Sequence, residues 1–320
     1  TVGSNFPYTQ FLPKLDQARG VQIDRSGQWI GMRYPYELNI VGDAKATLQA
    51  LIPLLQRKTD RSWREKVEHH VEKWWNTVER RAMTTADPIN PMRIFYELSQ
   101  RLPSNAIVAA DSGSSANWYA RQLKFTSGVR GSLSGTLATM GPGVPYVIGA
   151  KWAHPDRPGI AFVGDGAMQM NGLAELITIT RYWRQWADPR LIVAVLHNND
   201  LNQVTWEMRA MENSPKFAAS QSLPDVDYAG FARSLGLRGE NIDDAGELGA
   251  AWERALAADR PTVLDVVCDP DVPPIPPHAT FEQAKSLVMA VLGGDDDAGG
   301  FIKQGLKQKV QQYLPGEKDA

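Results

Sequence analysis

The sequence has a single cysteine, Cys268, among 320 residues. One cysteine excludes an internal disulfide, and its position directly after an apolar run predicts a buried structural thiol in a reducing compartment. No apolar stretch reaches the about 18 residues that a membrane-spanning helix needs, and no signal-like segment opens the chain. These absences predict a cytoplasmic protein.

An excess of either charge is also missing. Lys and Arg total 34 against 36 Asp and Glu, and no dense basic block with interleaved aromatic residues occurs. This balance argues against a nucleic-acid-binding surface. Apolar residues make up 43% of the chain and charged residues 22%, which predicts a globular protein of two ordinary-sized domains with a sizeable core.

Helical patterns and short apolar runs alternate along most of the chain. The apolar runs predict strands at 106–110, 160–163, 191–196 and 262–267. Fully apolar strands that alternate with helices are typical of an α/β fold with a parallel sheet covered on both faces. Ligands of such sheets bind beyond the carboxyl ends of the strands, where the sequence places Asp111, Asp165 and Asn199.

The pattern predicts two doubly wound parallel-sheet domains, the first of them truncated. Residues 1–58 are interpreted as part of a nucleotide-fold domain and 59–90 as a helical connector with an apolar stripe. Residues 91–290 form the second domain, and 291–320 an amphipathic tail. Because the chain opens with what resembles a strand end, we expect that an N-terminal portion precedes it and that function needs another polypeptide.

The central motif consists of two polar segments that follow apolar runs. Residues 164–167 read GDGA, and residues 198–200 read NND. Asp165 and Asn199 can each offer one oxygen to Mg²⁺, and the flanking glycines allow close approach of a phosphate. A helix expected from about Asn171 would direct its free amides at the same anion. Gly-Asp-Gly is also ordinary turn chemistry, but the Asn pair after a second strand favours a magnesium-diphosphate site.

This two-part pattern resembles the diphosphate-binding signature of thiamine-diphosphate enzymes. Nearly the whole chain is similar to the last two domains of pyruvate oxidases and quinone-linked pyruvate dehydrogenases, with acetolactate synthases next. The similar segments are residues 3–8 (GSNFPY), 22–24 (QID), 41–43 (VGD), 275–277 (IPP) and 282–285 (EQAK). One departure is the 31 residues between Gly166 and Asn198, which exceed the usual spacing; we assign the surplus to an insertion at 181–190.

The resemblance implies specific cofactor contacts. Asp165, Asn199 and the Leu201 carbonyl would hold Mg²⁺, and Met140 would support a bent thiamine diphosphate. From the residues alone, a lone Met is more often core filler and a Ser/Gly cluster more often a loop or helix cap. The full set of implied thiamine-diphosphate contacts is Ser112, Gly113, Ser114, Ser115, Thr139, Met140, Gly164, Asp165, Gly166, Ala167, Met168, Asn199 and Leu201.

Two further sets of residues follow from the resemblance. FAD contacts would be Gly3, Phe6, Asp24 and Asp43, although such carboxylates also serve as helix caps or turn formers. A substrate channel would be bordered by Val204, Trp206 and Glu207, for which an amphipathic helix with ordinary core contacts is the alternative.

The implied function is decarboxylation of a 2-keto acid, with pyruvate as the first choice, followed by oxidation of the hydroxyethyl intermediate. The implied cofactors are thiamine diphosphate and Mg²⁺, together with FAD where flavin is retained. An acetolactate synthase-like carboligase and a non-catalytic cofactor-binding scaffold are the alternatives. No catalytic residue is assigned within this chain, because the activating glutamate of the family lies in the N-terminal domain. The expected assembly is a homodimer or homotetramer, and an amphipathic segment at 301–314 would allow peripheral contact with the inner membrane face.

Overall fold

The computed structural model describes residues 1–4, 12–134, 137–274, 289, 300 and 303–304. The chain divides into two compact units, Thr1–Glu68 and His69–Ala320. The sequence-based boundaries at residues 58, 90 and 290 stay a prediction. Phe6, the segments 275–277 and 282–285, and most of the C-terminal tail, including 305–320, lie outside the described residues. Within the described part, no helix combines the length and apolar character needed to cross a bilayer.

The first unit contains a small parallel sheet. Strands β1 (Val21–Asp24) and β2 (Leu38–Val41) pair in parallel, with Asp24 opposite Val41. Helix α1 (Ala44–Leu51) begins after Asp43, whose carboxylate accepts a hydrogen bond from the Ala46 amide at 3.0 Å. That contact satisfies one of the free amides at the helix start.

The larger unit alternates helices and strands as the sequence predicted. Helix α2 (Ser62–Ala82) crosses the division between the units. The strands that follow are β3 (Ile107–Ala110), β4 (Arg130–Leu133), β5 (Gly159–Gly164), β6 (Leu191–His197), β7 (Arg238–Ile242) and β8 (Thr262–Val267). The helices are α3 (Pro91–Ser99), α4 (Ser114–Gln122), α5 (Gly143–Ala153), α6 (Asp165–Ala167), α7 (Leu173–Tyr182), α8 (Asn202–Met211), α9 (Ala218–Gln221), α10 (Tyr228–Ser234) and α11 (Leu248–Leu256).

All six strands of this unit lie in one parallel sheet of order β4-β3-β5-β6-β8-β7. Side chains alternate between its faces, and each face carries its own apolar cluster. Phe162, Ala194 and Leu264 pack in the cluster beneath α3, α4 and α11. Ala161, Val193 and Val263 pack in the opposite cluster, with α5, α7 and α10. The α/β parallel-sheet prediction is therefore confirmed.

The helix after β5 begins earlier than expected. The sequence placed its start near Asn171, whereas the backbone turns helical at Asp165, passes through a π-helical turn at Met168–Gly172 and continues as α7. The early start puts Asp165 in the first turn of a helix, directly beyond the strand. At the other end, α7 ends at Tyr182, and a 3-10 turn over Trp183–Gln185 follows within the predicted insertion.

Candidate functional site

Three polar strand ends lie side by side at the carboxyl edge of the six-stranded sheet. Asp111 follows β3, Asp165 follows β5 and Asn199 follows β6, and these strands are consecutive neighbours. The Asp111 amide donates to the Phe162 carbonyl of β5 at 2.8 Å. β4 lies on one side of β3 and β5 on the other, so the edge between Asp111 and Asp165 is the switch point at which such sheets bind ligands.

Asp165 is a buried carboxylate bound by backbone amides. Oδ2 accepts from the amides of Asn198 (2.8 Å) and Asn199 (2.6 Å), and Oδ1 accepts from the Gly166 amide at 2.8 Å. Burial raises the pKa of Asp165 to about 6 despite these amides and the nearby His197. A cation bound at Asp165 would offset the cost of burying this negative charge.

Hydrogen bonds fix the conformation of the segment from Asn199 to Leu201. Asn199 has a left-handed backbone (φ 54°), and its Oδ1 lies 2.8 Å from Nε2 of His197. The Leu201 amide donates to the Gln221 carbonyl at 2.8 Å, while the Leu201 carbonyl accepts from the Thr205 amide in the first turn of α8 at 3.0 Å. A carbonyl oxygen has a second lone pair, so this contact leaves room for a metal.

Gly166 is the point at which three predicted site residues meet. A Cβ placed on Gly166 would lie 2.7 Å from Leu201 Cδ2, 3.3 Å from Met140 Cε and 3.4 Å from Leu223 Cδ1. The position therefore admits only glycine without movement of these side chains. The structure thus brings Met140, Gly166 and Leu201 together, although they are distant in sequence.

Asp111 organises the loop that carries Met140. Its carboxylate accepts hydrogen bonds from the amides of Gly141 (2.8 Å), Gly143 (2.7 Å) and Ser112 (2.9 Å). Gly141 has φ 98°, and a Cβ there would lie 2.5 Å from Asn171 Nδ2. Burial raises the pKa of Asp111, which these three amides counteract. The sequence marked Asp111 as a polar strand end but not as this anchor.

The remaining predicted cofactor contacts lie near Asp111, near Asp165 or beside Met140. Ser112 and Ser115 are buried. The Ser115 hydroxyl donates to the Asp111 carbonyl at 2.9 Å, so this side chain stabilises the loop that follows β3. Gly113 (φ 91°) precedes Ser114 at the open start of α4. Gly164 ends β5, Ala167 and Met168 are buried in the helix behind Asp165, and Thr139 is exposed beside Met140.

The predicted channel residues lie on α8 but face different ways. Trp206 is buried against Ala210, whereas Val204 and Glu207 are exposed. The Glu207 carboxylate accepts from Gln203 Nε2 at 2.9 Å, and Gln203 Oε1 accepts from Asn117 of α4 at 2.6 Å. Gln203 therefore connects α8 to the helix that follows the Asp111 loop, a contact that the sequence analysis missed.

The predicted flavin contacts that the structure describes, Gly3, Asp24 and Asp43, lie in the first unit and take part in local structure. The Gly3 amide (φ 55°) donates to the Ile23 carbonyl at 2.8 Å. Asp24 accepts from the Ser26 amide at 2.9 Å in a turn, and Asp43 caps α1. These are the structural roles that the sequence left open for both carboxylates.

A buried His-Asp pair next to Asn199 was also missed. His197 Nδ1 lies 2.8 Å from Asp265 Oδ1, and both side chains are almost fully buried. Burial alone would lower the pKa of His197, but the hydrogen bond and charge of Asp265, together with the contacts of Asn199 and Asp165, raise that pKa to about 9. The two residues are 68 positions apart, so only the β6 and β8 pairing reveals their contact.

The donor set fits magnesium and diphosphate. Within the described residues, no group of three or more His, Cys, Asp or Glu side chains could hold a metal ion. A cation here would therefore need a mixed set of oxygen donors, as Asp165, Asn199 and the Leu201 carbonyl would provide, and such hard oxygen ligands suit Mg²⁺ when phosphates complete its coordination. The roles of the individual residues remain predictions.

Comparison with known proteins agrees with the resemblance. Residues 111–266 match the family model of the thiamine pyrophosphate enzyme C-terminal TPP binding domain. The chain is 31% identical over 313 residues to the putative thiamine pyrophosphate-containing protein YdaP of Bacillus subtilis. The matched region covers 98% of this chain and 52% of YdaP.

Two further relatives have named activities. A probable acetolactate synthase large subunit of Methanococcus aeolicus is 28% identical, over 82% of this chain and 45% of that protein. A sulfoacetaldehyde acetyltransferase of Castellaniella defragrans is 26% identical, over 78% of this chain and 45% of that protein. The chain thus spans about half the length of the curated relatives that it matches. Through residues 111–266, the chain is similar to the C-terminal TPP binding domain of thiamine pyrophosphate enzymes.

Proposed function

We propose that the chain binds thiamine diphosphate through Mg²⁺ held by Asp165, Asn199 and the Leu201 carbonyl, and that it serves the decarboxylation of a 2-keto acid such as pyruvate. The observation that carries the proposal is the buried Asp165 carboxylate at the end of β5, which accepts hydrogen bonds from three backbone amides. Once bound, thiamine diphosphate supplies the nucleophile and electron sink for loss of carbon dioxide.

The residues of the chain have binding and orienting roles in this proposal. Asp165 and Asn199 hold the cation that neutralises the diphosphate. Met140, whose methyl group approaches Gly166, supports the shape of the cofactor. The exposed Val204 and Glu207 face the substrate, while the buried Trp206 anchors α8 beneath them.

Two outcomes are proposed for the two-carbon fragment that remains. The sequence resemblance favours oxidation of this fragment, with FAD bound by the first unit. The names of the relatives from M. aeolicus and C. defragrans favour transfer to a second substrate. Product analysis separates them, because oxidation gives a product with one substrate skeleton and carboligation a product with two.

We propose that the activating glutamate comes from polypeptide outside these 320 residues, within a homodimer or homotetramer. The lengths of the relatives support this, since each is about twice as long as the part that matches. Within the described part of the chain, the residues gathered around Asp165 can bind and position a cofactor.

The test is equilibrium dialysis of thiamine diphosphate against the full chain, with Mg²⁺ or with EDTA. We expect binding that requires the metal and that is lost in Asp165→Asn. Asp156→Asn, which changes an exposed carboxylate, is the matched control. Metal-independent binding, or normal binding by Asp165→Asn, would contradict the proposal. The substrate is then tested by release of labelled carbon dioxide from 1-¹³C-pyruvate, after the chain is combined with the polypeptide that supplies the activating glutamate.

A further inference from the structure

A buried polar network links β8 to the end of β6. One oxygen of Asp265 lies 2.8 Å from His197 Nδ1, and His197 Nε2 lies 2.8 Å from Asn199 Oδ1. The second oxygen of Asp265 accepts from the Tyr228 amide at 3.1 Å and from Asn241 Nδ2 at 3.3 Å. Asp265 is thus held from several sides, and it fixes the plane of the imidazole.

The imidazole has few other orientations. The ring of Tyr228 packs edge-on against it, with centroids 5.1 Å apart, and both residues are buried. The exposed carboxylate of Asp225 lies 3.2 Å from Nε2 and is the one ion-pair partner of that nitrogen among the described residues. A side chain locked in this way can hold the amide that it contacts.

From this geometry we propose that His197, oriented by Asp265, is a positioning residue for the Asn199 amide, and that it holds Oδ1 ready for the metal. The inference rests on the proposed magnesium-thiamine diphosphate site. The Asn199 amide can contact His197 Nε2 and still present an oxygen lone pair to the cation. Asn199 needs such support, because a free Asn side chain would rotate between orientations and pay entropy on binding.

Two substitutions separate positioning from simple packing. The terminal amide nitrogen of Gln occupies the place of His Nε2, so His197→Gln keeps the hydrogen bond to Asn199 but loses the contact with Asp265. The shorter Asn matches Nδ1, so His197→Asn keeps Asp265 but loses Asn199. His197→Phe loses both, and His154→Gln, at a half-buried site beside Arg130, is the matched control.

The experiment measures, for the full chain, the Mn²⁺ concentration that half-saturates thiamine-diphosphate binding, with free Mn²⁺ read by electron paramagnetic resonance. We expect His197→Asn and His197→Phe to need about 10- to 100-fold more metal, as found when supporting residues of metal ligands are removed. His197→Gln should stay close to the wild type. A merely structural role would reverse the order, with His197→Asn nearly normal, and would overturn the inference.

A second measurement needs no variant at the site. On addition of Mg²⁺ and thiamine diphosphate to ¹⁵N-histidine-labelled wild type, the ring signal of His197 should shift while that of His154 stays. An unmoved His197 signal in a chain that binds the cofactor would contradict the positioning role alone. Failure of the wild type to bind thiamine diphosphate with metal would overturn the proposed function, and this inference with it.

Discussion

Asp111 illustrates how one side chain determines the shape of a loop. It lies beyond β3, is fully buried, and accepts hydrogen bonds from the Gly141 and Gly143 amides, which draw residues 141–143 back to the strand end. Met140 precedes this segment, so the position of its methyl group at Gly166 depends on a carboxylate 29 residues away in sequence.

We expect Asp111→Asn to destabilise the fold by about 2 kcal/mol, because the Asn amide group would face backbone donors that it cannot accept from. The measurement is urea unfolding followed by tryptophan fluorescence. Asp156→Asn, on the surface, should change the unfolding free energy by less than about 0.5 kcal/mol. Equal effects of the two variants would show that the Asp111 hydrogen bonds contribute little.

Two glycines offer a second comparison at this scale. Gly166→Ala places a methyl group against Leu201 and Met140, whereas a Cβ on Gly149, an exposed position of α5, meets no atom within 4 Å. We expect Gly166→Ala to weaken thiamine-diphosphate binding at least about tenfold, since a loss of about 1.4 kcal/mol in binding free energy corresponds to that factor. Gly149→Ala should bind almost normally. Dialysis measures both, and equal affinities would contradict a role for this convergence.

At the scale of elements, the charged side chains of Lys151, Asp188 and Arg190 hold the insertion before β6. Lys151 at the end of α5 donates to the carbonyls of Asp188 (2.7 Å) and Arg157 (2.6 Å). The Asp188 carboxylate binds the Arg190 guanidinium through two oxygens, at 2.9 Å and 2.6 Å. The surplus residues therefore pack in a defined loop and leave the pairing of β6 with β5 undisturbed.

The Asp188 pair predicts an acid-dependent stability. Burial alone would raise the pKa of Asp188, but the hydrogen bonds from Arg190 lower it overall. A lowered pKa in the folded state contributes stability above the unfolded pKa of about 3.9, and that stability is lost as the pH falls through the folded value. We expect Asp188→Asn to cost about 1 kcal/mol at pH 7 and nothing near pH 2.

Urea unfolding of the wild type and Asp188→Asn across this pH range tests the prediction. The matched control is Asp259→Asn, because Asp259 forms the same kind of pair with Arg260 on the exposed surface. Its effect should be smaller at every pH. A pH-independent difference for Asp188→Asn would mean that packing, and not charge, explains the loss.

The sequence located the strands whose residues are uniformly buried and missed some helices and strands with mixed or exposed residues. β6 and β8 are buried along nearly their whole length and mostly apolar, so their apolar runs located them. Helix α5, Gly143–Ala153, has buried and exposed positions that follow no clear stripe, and the edge strand β4 is exposed at all four residues. Neither carries the periodic pattern that predicts an element, so neither was predicted.

At the scale of the whole molecule, cofactor binding should stabilise the larger unit. A ligand that binds only the folded state at 100 times its dissociation constant adds about 2.7 kcal/mol. For a unit of this size, that corresponds to a rise of roughly 5–10 °C in Tm. Calorimetry with Mg²⁺ and thiamine diphosphate should show this rise, and EDTA should remove it. A shift that persists in EDTA or in Asp165→Asn would contradict the metal-bridged site.

The sequence by itself determined that strands end in Asp111, Asp165 and Asn199 and that parallel strands bring such ends to one edge, because apolar runs and polar ends are local properties. Only the tertiary structure decided that β6 and β8 are neighbours, that Asp265 therefore reaches His197, and that Gly166 faces Met140 and Leu201. These contacts join residues 26 to 68 positions apart. They depend on strand order and backbone hydrogen bonding, which no local pattern of side chains encodes.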